Sequence, residues 1–186
     1  MKTLASLIFF TLFAIQSVAQ TVCLSIDEYK LYELIMEYRA SKGLPKIPLS
    51  ASLTIVAQTH GKDLMKNAPK APCNMHSWSN QGKWTACCYT PDHKQAPAMW
   101  SKPKELTNYQ GAGYEIAHWS SALATPQGAL DGWKKSNGHN TVIINAASWK
   151  SKWNAIGIGI VGNYAVVWFG NEVDTAGEAK KCNETK

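Results

Sequence analysis

Residues 155–170 read AIGIGIVGNYAVVWFG, and few arrangements can accommodate such a stretch. Two short runs rich in β-branched and aromatic residues flank Val161, Gly162 and Asn163, the signal of a tight hairpin. Gly157 and Gly159 fall on alternate positions of the first run. A glycine inside a strand weakens it unless the missing side chain lets another backbone or a helix come close. The last third of the chain is therefore expected to form an antiparallel hairpin with something packed hard against it.

Helical patterns come earlier. Ser25 followed by Glu28 makes a capping-box start, and Tyr29, Leu31, Tyr32, Ile35, Met36 and Tyr38 recur at helical spacing up to Gly43. GLPKIPLS breaks the pattern, and from Ser50 the residues Leu53, Val56, Ala57, His60, Leu64 and Met65 mark one face of a second helix. A short helix is expected after Glu115. Thr125 and Pro126 begin another, carrying Ala129, Leu130 and Trp133 and ending at Asn137 and Gly138, because glycine accepts the left-handed conformation of a helix stop. Helices early and strands late give the α+β class, with helices packed on an antiparallel sheet.

The chain opens with Met1, Lys2 and an apolar run from Leu4 to Ile15, then a small-x-small site at Ser17 and Ala19. This is the pattern of a secretory signal peptide over residues 1–19, too short to span a bilayer, and it leaves residues 20–186 as a single domain of a size that buries one good core. Removing Lys2 lowers the formal charge of +6 by one unit, and the remaining basic residues are scattered. No basic stripe or aromatic-basic motif accompanies them, so nucleic acid is excluded as a partner. No other segment is long and apolar enough to make this an integral membrane protein.

An exported chain meets an oxidising compartment, where cysteines pair. The five here (Cys23, Cys73, Cys87, Cys88, Cys182) leave one over, with five choices of spare thiol and three pairings of the other four. The favoured pairing is Cys23 with Cys182, and Cys73 with Cys87 or Cys88. Three of the five lie between Lys66 and Ala112, an irregular stretch holding Pro69, Pro72, Pro91, Pro97 and Pro103. Long loops in compact domains are tied down or functional, and this one is expected to be both, with function in CNMHSWS. His76 in that loop, Glu115 in GAGYEIAHW and His139 in GWKKSNGHNTVII each occupy a position that core packing does not ask for.

The order of these segments resembles the CAP superfamily, the SCP or sperm-coating-protein domain of cysteine-rich secretory, antigen 5 and pathogenesis-related 1 proteins. The resemblance runs from about Tyr29 to Gly170. It is carried by YRASKGLPKIPLSASLTIVAQTHGKDLM, MHSWS, GYEIA, GWKKSNGHNTVII and IGIGIVGNYAVVWFG, and WKKSNGH is similar to the shorter bacterial-type members. It implies a three-layer α-β-α sandwich of CAP type with an antiparallel central sheet. It also implies a cleft in which His76, Glu115 and His139 bind a ligand and could hold a divalent metal such as zinc. Ser136 stands where longer members carry a second glutamate, so the implied metal is weakly bound.

His60, on the apolar face of the second helix, is read as a satisfied core or cleft-wall residue, ranking behind the other three as a ligand. Trp133, Trp149, Trp153 and Trp168 sit in segments matching the family's core, so packing is the expected account of them. The resemblance points to a secreted binding or effector module for an extracellular ligand, with lipid or another protein among the classes. A metal-dependent hydrolase using His76, Glu115 and His139, or a sterol or lipid carrier, is the alternative.

Overall fold

The computed structural model describes residues 22–183; the expected signal peptide lies outside the described residues. The chain runs β1 (Cys23–Leu24), α1 (Ile26–Ala40), α2 (Ala51–Lys66), α3 (Ala96–Trp100), α4 (Lys102–Leu106), β2 (Gly113–Trp119), α5 (Pro126–Lys135), α6 (Asn137–Ile143), β3 (Ala155–Val161), β4 (Tyr164–Gly170) and β5 (Lys180–Lys181). The expected caps are present. Ser25 accepts from the Glu28 amide while Glu28 reaches back to the Ser25 amide, Ser50 caps α2 through the Leu53 amide, and Thr125 caps α5 with Pro126 behind it.

The hairpin of β3 and β4 turns at Gly162, which has a φ of +55°. β2 pairs antiparallel with the outer side of β4, giving the strand order β2-β4-β3. Every residue of β4 is buried, because the sheet is covered on both faces. Ala165, Val167 and Phe169 join the core beneath α1, α5 and α6, whereas Val166 and Trp168 join the core beneath α2. The three-layer sandwich expected from the sequence is thus formed.

The glycines of β3 are where α2 lies down. A Cβ on Gly157 would overlap the carbonyl of Leu53, and one on Gly159 would meet that of Ala57, so the helix backbone rests directly on the strand. The chain ends are tied by the Cys23–Cys182 disulfide beside the two-residue parallel pairing of β1 with β5. The second bridge joins Cys73 to Cys88, leaving Cys87 free and buried.

Two local expectations are corrected. Glu115 is not followed by a short helix: GYEIAHW is strand β2, from Gly113 opposite Gly170 to Trp119 opposite Tyr164. Its alternation sends Ile116 into the core under α1 and Glu115 toward α2, and one acidic residue inside the run hides that pattern. Nor do Asn137 and Gly138 stop a helix. The break falls at Ser136, whose extended backbone closes α5 and opens α6, and Gly138 does not take the left-handed conformation. Burial of Val142 and Ile143 makes a second helix worth forming there. Arg39 secures its far end through the Ile143 carbonyl and Asn145 Oδ1. The stretch between Lys66 and Ala112 also contains the short helices α3 and α4.

Two outcomes follow from this packing. Gly157→Ala is expected to destabilise the protein by about 1–3 kcal/mol through overpacking. Gly138→Ala, whose added methyl meets nothing within 4 Å, should leave the denaturant midpoint unchanged or slightly raised. Mass spectrometry without reduction should find both bridges and a single thiol at Cys87. Burial, only partly offset by Lys102, raises the pKa of that thiol, so it should react with thiol reagents only after unfolding.

Candidate functional site

β2 is the free edge of the sheet, and the site is built around it. Glu115 stands opposite Trp168 on β4 and so faces the α2 layer, where its side chain is fully buried. One carboxylate oxygen, Oε2, lies 2.7 Å from Nδ1 of His60 on α2. Neither of those two atoms has an in-line hydrogen-bond partner, so the contact is primarily ionic. The other oxygen, Oε1, accepts from Nδ1 of His76 at 3.1 Å. A carboxylate can only accept, which puts the His76 proton on Nδ1 and leaves Nε2 with its lone pair.

His60 is held from the other side as well. Its Nε2 lies 2.9 Å from the Ser77 carbonyl, and its ring stacks on Trp78 at 4.2 Å between centroids, 7° from parallel. Burial by itself would push His60 down, but the charge of Glu115 and the Ser77 carbonyl outweigh it and raise the pKa. Burial would likewise push Glu115 up, yet the two imidazoles hold it down to about 2. The pair is therefore an imidazolium and a carboxylate, with the cation over an indole face.

The loop bearing His76 is pinned at several points. Asp63 of α2 accepts from the amide and hydroxyl of Ser79, Trp78 and Cys87 exchange backbone hydrogen bonds, and the Cys73–Cys88 bridge closes the base. His139 arrives from the opposite layer in the first turn of α6, which Tyr38 holds through Asn140 Oδ1. The His76 and His139 rings lie 6.4 Å apart between centroids. Burial, and after it the neighbouring His76, lowers the pKa of His139, so its ring is neutral at physiological pH.

His76, Glu115 and His139 all line one cleft of about 770 Å³. Glu115 reaches that cleft through His76, because its own oxygens are taken up by two imidazoles. Ser136 lines a neighbouring cavity with His118 and His139. His60 contributes far more than a core position: it is the counter-ion of Glu115. The signal for this was a titratable ring in the buried stripe of α2, since a buried polar group requires a partner. Trp149 is only half-buried and lines the cleft together with Trp100 and Tyr114, whereas Trp133, Trp153 and Trp168 are core residues as expected, Trp153 also bordering the cleft.

A sandwich with this strand order and a histidine-lined cleft at the sheet edge can be set beside known proteins. The model of the CAP family, the cysteine-rich secretory protein family, matches residues 32–168. The chain belongs to the CAP family.

Among solved structures, this CAP chain is similar in fold to an extracellular protein containing an SCP domain from Bacillus anthracis, at TM-score 0.57 and 18% identity over 78% of this chain and 40% of that one. A cysteine-rich secretory protein from Staphylococcus aureus gives TM-score 0.53 and 14% identity over 78% and 38%. An outer surface protein of Borrelia burgdorferi gives 0.53 and 18% over 78% and 92%. The match thus spans about two fifths of the first two proteins and nearly all of the third. No curated protein sequence matches the chain. Among the described residues, no helix is long and apolar enough to cross a membrane.

The ion pair makes stability depend on pH in both directions. The depressed pKa of Glu115 adds stability that is present above its unfolded value and lost as pH falls toward about 2. The raised pKa of His60 adds stability that is present below its unfolded value and lost as pH rises through its folded one. Both contributions are complete between the unfolded Glu and His values, about 4.3 and 6.5. There, Glu115→Gln should cost about 3 kcal/mol, the lower end for breaking a buried pair, because His60 can shed its proton. Urea titrations of both proteins should show the gap narrowing on either side of that window. In NMR titrations His139 should titrate below, and His60 above, an ordinary histidine.

Proposed function

We propose that this CAP chain is an extracellular binding module, exported by cleavage near Ala19, whose cleft takes a small ligand or, weakly, a divalent ion such as zinc. The observation that carries the reading is the commitment of Glu115, with one oxygen on His60 and the other on His76. A carboxylate so engaged orients an imidazole; it is not free to activate water as a general base. Export is supported by two disulfides, which persist in oxidising compartments, and by the extracellular and outer-surface descriptions of the similar structures.

The donor set fits an ion held by His76 and His139, with Glu115 behind His76 as the outer partner that histidine ligands commonly have. Among the described residues, no group of three or more His, Cys, Asp or Glu side chains is arranged to hold a metal ion, so the ion reading rests on the two histidines alone. An ion bound there would polarise an oxygen of a neighbouring ligand. The hydrolase reading draws on one observation, the neutral ring of His139, which could accept a proton.

Calorimetric titration of zinc chloride into the mature protein at neutral pH tests the ion site. Weak binding is expected, lost in His76→Ala and His139→Ala, reduced about tenfold or more in Glu115→Gln, and fading as pH drops through the histidine range. Turnover of casein or a p-nitrophenyl ester that disappears in His76→Ala would establish the hydrolase instead.

A further inference from the structure

Besides its histidines, the cleft is lined by large aromatic rings, three of them from separate segments of the chain. Trp100 from α3, Tyr114 from β2 and Trp149 from the segment after α6 form a contiguous wall, with centroids 5.3 Å apart for Trp100 and Tyr114 and 5.1 Å for Tyr114 and Trp149. Trp153 lies beneath them, buried, 6.0 Å from Trp149, with its indole N–H donated to the Val142 carbonyl. Trp153 is thus a floor that packing explains. The three rings above it are only half-buried, although the chain buries other rings of the same size completely. Packing alone does not account for three large rings from separate segments meeting at a wet surface.

The remaining lining adds hydroxyl and amide groups from Thr141, Ser148, Ser151 and Asn171 beside the imidazoles of His76, His93 and His139. Among the described residues, no lysine, arginine or aspartate lines the cleft, and its one acid, Glu115, has no exposed side-chain surface. An anionic ligand would meet no fixed cation here, and a cationic one no exposed carboxylate.

We propose that the cleft binds an uncharged oligosaccharide, with sugar rings stacked on Trp100, Tyr114 and Trp149 and hydroxyls hydrogen-bonded along the serine, threonine and imidazole rim. The proposal rests on the binding-module reading and names its ligand class. A pyranose with equatorial substituents has a flat face of C–H groups carrying slight positive charge, which suits the negative face of an indole or phenol ring. Its edge carries the hydroxyls that the rim can pair. A fatty chain or a sterol would match the wall but has few polar groups to pair with the hydroxyls and amides of the rim. A cleft of about 770 Å³ falls among ordinary small-ligand sites and has room for two or three sugar units.

The test uses the disulfide-intact mature protein, with tryptophan fluorescence and calorimetry as readouts. The probes are cellotriose, triacetylchitotriose and an array of neutral glycans, with palmitate and cholesterol as lipid probes. Saturable binding of neutral sugar is expected. Trp149→Ala and Trp100→Ala should each weaken it about tenfold, and Trp149→Phe should retain most of it. The alanine variants should keep wild-type near-ultraviolet circular dichroism apart from the lost indole, and zinc binding at His76 and His139 should be unaffected. Absence of neutral-sugar binding, or binding indifferent to both tryptophan variants, overturns the proposal. Palmitate or cholesterol bound in a Trp149-dependent way, with no sugar bound, overturns it in favour of a lipid while the binding-module reading stands. Hydrolytic turnover dependent on His76 removes that reading, whatever the sugar result.

Discussion

A helix can lie directly on a strand only where the strand offers no side chains to hold it off, and this molecule depends on that contact. With Gly157 and Gly159 beneath the backbone of α2, the helix axis is set close to the sheet, and everything carried on the helix is brought down with it. His60 is then low enough for its ring to reach the carboxylate of Glu115 on the far strand, across the width of β4. Asp63, one turn further along, reaches the Ser79 amide and fixes the loop that carries His76. Small residues in β3 therefore act on the cleft through a chain of rigid pieces, without touching it.

The electrostatics of the site follow from the same geometry. A lone carboxylate at the depth of Glu115 would be neutralised or expelled. Here an imidazolium on one side and an imidazole N–H on the other keep it ionised, and Trp78 and the Ser77 carbonyl satisfy the imidazolium in turn. Of this series, only His76 presents exposed side-chain surface at the cleft. That arrangement suits recognition: a ring whose tautomer and direction are fixed from behind presents a defined acceptor to whatever enters, at little further entropic cost.

His139 comes from the other helical layer, so the cleft joins both sides of the sandwich around the free edge of β2. Its supports are independent of those of His76, being the Tyr38 and Arg39 contacts that α1 makes with α6 and the segment after it. A ligand touching both rings would bridge the two helical layers at the cleft, away from the Gln58–Glu28 hydrogen bond that joins α2 to α1 directly.

Much of this was legible in the amino-acid order. Caps, helical stripes and the Gly-interrupted hairpin are local signals, each generated within a few residues, and they announced α1, α2, α5, β3, β4 and the close approach to Gly157. The residues His76, Glu115 and His139 stood out because each interrupted a local pattern. Their mutual contacts could not be read the same way, since ring separations and carboxylate partners depend on how layers distant in sequence are superposed. The strand identity of GYEIAHW came from pairing with β4, the helical identity of NGHNTVI came from burial of Val142 and Ile143, and the role of His60 came from the depth at which α2 sits. The aromatic wall of Trp100, Tyr114 and Trp149 left no periodic trace, because its members lie on three elements with unrelated spacing. Local sequence determined which segments would be helix or hairpin, since caps, turns and apolar stripes act over a few residues. Tertiary structure alone decided what faced what, since a buried charge takes its partner from whichever layer the packing brings within reach.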